Sequence, residues 1–100
     1  MSRAKHVIAL SELADQDLAD ILQYTLGTWG ETQMDIYAAK LDKGMHLLES
    51  QPRLGKPRDD WYPGCRCYQV EHHLILYAVV EQQILVARIF HERVDVLRHL

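Results

Sequence analysis

The chain predicts an α+β fold of order β-α-α-β-β-β: a helix hairpin packed on a small, mainly antiparallel sheet. Two segments of the first half repeat apolar residues at helical spacing. Three short strand-like runs, separated by short breaks, fill the last third. Between them lies a segment holding all three prolines and two of the five glycines. Helices segregated from a meander of strands make an α+β domain.

His6 to Leu10 reads as a short first strand. Ser11 then serves as helix N-cap, with Glu12, Asp15 and Asp17 near the positive end of the helix dipole. Leu18, Ile21, Leu22 and Thr25 fall on one helical face, and Gly27 is read as the stop. A second helix spans Gly30 to Ser50, with a buried stripe of Met34, Tyr37, Ala38, Leu41, Met45 and Leu48. Gly44 within it predicts a close helix contact, and Pro52 ends the helix. The link Gly27-Thr28-Trp29-Gly30 implies an antiparallel helix pair. Gln51 to Gly64 is a loop. Arg66 to Glu71 alternates as a half-exposed strand should, and Leu74 to Val80 is a continuous apolar strand. Glu81-Gln82-Gln83 is a hairpin turn lacking the Asn-Gly signal, and Ile84 to Phe90 is the last strand.

One hundred residues suit one domain, residues 1–100, with an ordinary balance of 48% apolar and 25% charged residues. No apolar run reaches the roughly 18 residues a membrane span needs. The basic start Met1-Ser2-Arg3-Ala4-Lys5-His6 is followed by too short an apolar stretch for a secretory signal, so a cytoplasmic location is expected. Cys65 and Cys67 share one strand face, a poor spacing for an unstrained disulfide, and are read as free thiols. Net charge is -3: the first fifty residues carry four Lys/Arg against eight Asp/Glu, the second fifty seven against six. The overall basic footprint of a nucleic-acid binder is absent.

Two residue sets stand out. The last strand, broken only by Arg88, delivers His91, Glu92, Arg93 and Asp95 to its tip, a common way to build a working surface. Arg88 has a structural reading too, as partner of an acidic residue on a neighbouring strand, and His91 as a hydrogen-bonding group at the sheet end. The helix pair carries a surplus of large apolar residues: Leu22, Tyr24, Leu26, Trp29 and Tyr37. That surplus marks either a partner site or, for Trp29, packing beneath the interhelical link. Arg53, Lys56, Arg58 and Arg66 form a basic cluster interrupted by Asp59 and Asp60. His72 and His73 straddle a strand junction and are expected to point to opposite faces. His46, with Asp42 and Ser50 at helical spacing, reads as a surface residue. Trp61 and Tyr62 either cap the core edge or contact a target.

Four stretches, taken in order, resemble the ParE/RelE superfamily of bacterial toxins, and the ParE branch in particular. They are Leu10-Ser11-Glu12-Leu13-Ala14 with Asp17-Leu18, then Pro52-Arg53-Leu54-Gly55-Lys56-Pro57, then Gly64-Cys65-Arg66, and last Arg88-Ile89-Phe90-His91-Glu92-Arg93. The resemblance covers nearly the whole chain and implies the same β-α-α-β-β-β order. It further implies the toxin of a type II toxin–antitoxin pair, which inhibits DNA gyrase by protein–protein contact and is not an enzyme. Arg66, Arg88, His91, Glu92 and Arg93 would then act on the target. Leu22, Tyr24, Leu26, Trp29 and Tyr37 would receive an amphipathic helix of a cognate antitoxin, a ribbon-helix-helix protein like ParD. No cofactor, metal or membrane is implied, and no direct nucleic-acid binding by the toxin alone. The alternative is a ribosome-dependent messenger endoribonuclease of RelE type, with Arg66, Arg88 and His91 catalytic. Against it stand the acidic balance and the lack of a C-terminal tyrosine, the last being Tyr77.

Overall fold

A computed structural model describes residues 6–100; the basic run at positions 1–5 lies outside them. In chain order the elements are β1 (Val7–Leu10), α1 (Glu12–Trp29), α2 (Glu31–Ser50), β2 (Lys56–Pro57), β3 (Arg66–Val70), β4 (His73–Val80), β5 (Gln83–His91) and α3 (Val96–His99). The strands form one sheet of order β1-β5-β4-β3-β2, with β1 parallel to β5 and the other pairs antiparallel. The mainly antiparallel sheet under a helix hairpin is the fold read from the sequence.

Ser11 starts α1 as expected: its hydroxyl oxygen accepts from the Ala14 N–H at 3.0 Å. The same hydroxyl donates to the Ala87 carbonyl at 2.7 Å, tying the cap to β5. The helix does not stop at Gly27. It continues to Trp29, and Gly30 alone links the helices, with φ +91°. That left-handed backbone is where glycine is needed. Gly27 is tolerated because other residues of the turn carry the helix, and the tight reversal falls three positions later.

Gly44 is buried, but its close neighbour is the sheet, not a helix: a Cβ there would lie 2.5 Å from Val70 Cγ2. The expected loop between α2 and β3 holds the two-residue strand β2, paired with Arg66 and Cys67. Pro57 is tolerated there because β2 is an edge strand with a free outer side. The hairpin loops are tighter than read. Val70 pairs with His73 and Val80 with Gln83, leaving Glu71-His72 and Glu81-Gln82 as loops. Glu71 and Glu81 adopt φ of 52° and 55°, the left-handed backbone that an Asn-Gly pair would otherwise supply.

The sheet has a core on each face. Between helices and sheet, Ala14, Met45 and Leu48 of the helices pack on Ile75, Tyr77, Ile84, Val86 and Ile89 of the strands. On the other face Cys65, Leu76, Phe90 and Val96 are covered by the loop before β3 and by α3. Each fully buried aliphatic chain contributes about 1.5–3 kcal/mol. Trp61 and Tyr62 pack on this second core and so cap the core edge. The second core went unread because its lid is a loop and a four-residue helix, too short to show a period.

The pairing of β4 with β5 contains a bulge. Leu76 faces Arg88 while Tyr77 faces Val86, so Ala87 is the extra residue. Before it, Ile84 and Val86 point to the helices; after it, Ile89 does. The alternation is thus reset in mid-strand.

Candidate functional site

The helix pair and the sheet end enclose an open groove of about 850 Å³. One wall is α1, with Asp17, Asp20, Ile21, Tyr24 and Thr25. The other is Trp29, Gln33 and Tyr37 at the helix turn and on α2. The floor is His72, His73, Ile89, Phe90 and His91. Three of the five predicted antitoxin residues, Tyr24, Trp29 and Tyr37, line it. Trp29 does not pack beneath the link; it is 69% exposed, and Tyr24 is 70% exposed. Leu22 lies elsewhere, in a smaller hollow between the helices of about 400 Å³ with Leu18, Ala38 and Leu41. Leu26 is exposed and lines neither concavity. A five-residue set on one helix pair spans more than one face, so a single groove takes only part of it.

The floor is a histidine cluster. Tyr37 Oη meets His73 Nδ1 at 2.5 Å and accepts the His72 backbone N–H at 3.3 Å. The His73 and His91 rings meet edge to face with centroids 5.3 Å apart, and His72 stacks on His91 at 6.5 Å. So the rings of His72 and His73 do not diverge to opposite faces. The hairpin bend brings both to His91. Burial, followed by the repulsion that His91 and His72 exert on a second positive ring, pushes the His73 imidazole down to about 4. Burial also raises the Tyr37 phenol above its ordinary value.

The five predicted target residues do not converge. Arg66 Nη1 donates to the carbonyls of Gly55 at 2.7 Å and Arg53 at 3.3 Å, holding the middle loop. Arg88 makes a fork to Asp17: Nε to Oδ2 at 2.8 Å and Nη2 to Oδ1 at 2.9 Å. Its partner is therefore acidic as expected, but on α1 and not on a neighbouring strand. Arg66 pairs with Tyr77, which faces the helices, and Arg88 with Leu76, which faces away. The two guanidinium stems thus leave opposite faces of the sheet. His91 pairs with His73, so it is separated from Arg66 by the length of β4 from His73 to Tyr77, about 13 Å at ~3.3 Å per residue.

Glu92 accepts from His72 Nδ1 at 2.6 Å and from Gln69 Nε2 at 3.0 Å. Those bonds, the one from His72 foremost, hold its carboxyl below the usual range. His91 does bond the sheet end: its Nδ1 accepts the Arg93 backbone N–H at 3.2 Å. The Arg93 side chain is exposed and makes no ion pair among the described residues. In the basic loop cluster, Arg58 forms a fork with Asp60 and lies 3.7 Å from the Trp61 ring centroid.

Cys65 and Cys67 are free thiols, both raised in pKa by burial. No group of three or more His, Cys, Asp or Glu among the described residues is arranged to hold a metal. No helix among them is long and apolar enough to cross a membrane.

Sequence reading missed Asp17, Asp20 and His73 as groove residues. Asp17 read as a helix-dipole residue; its partner is 71 positions away, and no local signal marks that.

Relatives agree with this architecture. The family described as "ParE toxin of type II toxin-antitoxin system, parDE" matches residues 8–96. A Toxin ParE of Escherichia coli is 33% identical over 91% of this chain and 89% of its own length. A Toxin ParE1 of Mycobacterium tuberculosis is 34% identical over 91% of this chain and 94% of its own. The solved structure of a chromosomal ParDE toxin–antitoxin system from P. aeruginosa superposes with a TM-score of 0.76 at 18% identity, covering 89% of this chain and 98% of that one. With the family match running from β1 into α3, this chain belongs to the ParE toxin family of type II toxin–antitoxin systems.

Proposed function

We propose that this toxin inhibits DNA gyrase by protein–protein contact and is silenced by an antitoxin whose amphipathic helix lies in the groove between the helix hairpin and the sheet end. The observation that carries the first half is the placement of the arginines. Arg66 and Arg88 leave opposite sheet faces, and both are engaged by the protein itself. A messenger nuclease needs cations converging on one phosphate with a proton carrier beside them. Inhibition by contact needs only surface complementarity, which a protein of net charge -3 can offer. On this reading Arg93, Glu92 and His91 are the contact group, while Arg66 and Arg88 position the fold behind it. The groove supports the second half: it joins exposed Tyr24 and Trp29 to polar groups on its floor, the mixture that seats an amphipathic helix.

The test is a supercoiling assay with purified gyrase, this protein and its cognate antitoxin. Blocked supercoiling, relieved by that antitoxin and weakened by Arg93→Ala, supports the reading. Full gyrase activity at excess toxin rejects it. Messenger cleavage on ribosomes would then indicate the RelE-type activity, and inactivity in both assays a module that only binds antitoxin.

A further inference from the structure

The histidines on the groove floor fix the chemistry of what sits above them. This inference rests on the proposed antitoxin occupying the groove. His91 Nδ1 accepts the backbone N–H of Arg93, so the neutral ring carries its hydrogen on Nε2. Tyr37 Oη already accepts the His72 N–H, and His73 Nδ1 is the acceptor in reach of its single hydrogen. Tyr37 therefore donates, and His73 too carries its hydrogen on Nε2. Neither Nε2 has a hydrogen-bond partner among the described residues. Neither is sealed off: His91 is an exposed residue, and half-buried His73 leaves no fully buried ring nitrogen unpaired. Two N–H donors thus face solvent on the floor of a groove whose walls are largely apolar.

A bound helix covering these donors must satisfy them, since a buried N–H without an acceptor costs about 1–3 kcal/mol. The two rings adjoin, with centroids 5.3 Å apart, so the acceptors they require fall on one short stretch of the bound helix. Charge selects the kind of oxygen. Asp20 lines the groove with Gln16 as its one hydrogen-bond partner among the described residues, and Glu92 is bonded to His72 and Gln69. Asp17 is neutralised by Arg88, and Glu71 by Lys40 at 3.0 Å. With Nδ1 accepting, neither the His73 nor the His91 ring carries charge in this arrangement, and His72 is already matched by Glu92, so no unmatched cation on the floor offsets a further carboxylate. We infer that the antitoxin helix presents an uncharged carbonyl acceptor, an Asn or Gln side chain, to His73 and His91, set among apolar residues that cover Tyr24 and Trp29.

The experiment measures the dissociation rate of labelled full-length antitoxin from wild-type toxin and from H91F and H91Q, each first checked for an unchanged melting curve. Loss of the donor in H91F should speed release about tenfold, while H91Q, whose amide supplies an N–H near the Nε2 position, should stay within about threefold. In the antitoxin, one Asn→Leu or Gln→Leu substitution should speed release from wild type and add nothing further in H91F. Release from H91F at the wild-type rate overturns the inference, as does coupling of His91 to an antitoxin Asp or Glu. Failure of wild-type toxin to bind the antitoxin at all overturns the antitoxin reading beneath it, a result distinct from either.

Discussion

Asp17 and Arg88, 71 positions apart in sequence, face each other through a two-bonded fork that closes α1 onto β5. Asp17 Oδ2 also accepts the Ile89 backbone N–H at 3.0 Å, so one carboxylate satisfies both a cation and the ladder group just past the bulge. Burial raises the Asp17 pKa, but the bonds from Arg88 and Ile89 outweigh it and the net shift is downward. Asp17→Ala leaves a mostly buried guanidinium and a backbone N–H without their partner. It should destabilise the fold by about 2–3 kcal/mol. Chemical denaturation of Asp17→Ala, Arg88→Met and the double variant checks this. The double variant should be more stable than Asp17→Ala alone.

Acid should lower the stability of the fold in two steps. The unfolded His73 ring titrates near 6.5 and the folded one at about 4, so the unfolded chain takes the proton more readily. Its contribution is fully present above 6.5 and is lost as pH falls from there toward 4. Asp17, lowered from 3.8, adds a second loss below that value. Both act in the same direction in separate windows. Thermal melts across pH 7 to 3 should show both steps. His73→Asn, whose oxygen can still accept from Tyr37, should remove the first and keep the second.

Gly44→Ala should cost about 1–3 kcal/mol, because the added carbon meets Val70 Cγ2 at 2.5 Å and α2 must lift from β3. Val70→Ala costs stability by itself. In the Gly44→Ala background it should cost less than in wild type, and denaturant midpoints of the four proteins measure that coupling.

Tyr77 is fully buried, and its hydroxyl donates to the Pro52 carbonyl at 2.7 Å and accepts the Gly55 N–H at 2.9 Å. Tyr77→Phe removes both partners of the middle loop at once and should destabilise by about 2–3 kcal/mol. Hydrogen exchange should show faster loss of protection at Gly55 than in α1.

The order of elements was legible because helix and strand leave different local marks: Leu41, Met45 and Leu48 recur at helical spacing, and Leu74 to Val80 is an unbroken apolar run. The tail after β5 was legible as a polar tip. What was not legible is pairing across distance. Arg66 and Arg88 look like free cations in a row of residues. Only the folded chain brings Gly55 to one and Asp17 to the other. Leu22 and Trp29 show the same limit on a helix, where spacing gives a face but not which face the sheet leaves open. His73 was set aside because alternation along a strand separates it from His72, and the two-residue bend at Glu71-His72 cancels that separation.

The unpaired Ala87 acts as a frame correction within β5. Were it deleted, Ile89 and His91 would turn to the far side of the sheet, and Arg88 and Phe90 would be carried under the helices. The floor of the groove and the clasp on Asp17 would vanish together, although no residue that forms them had been replaced. Chain length between Val86 and Arg88 is therefore as much a part of this toxin's working surface as any side chain on it, and a one-residue change there should be less forgiving than most substitutions at the tip itself.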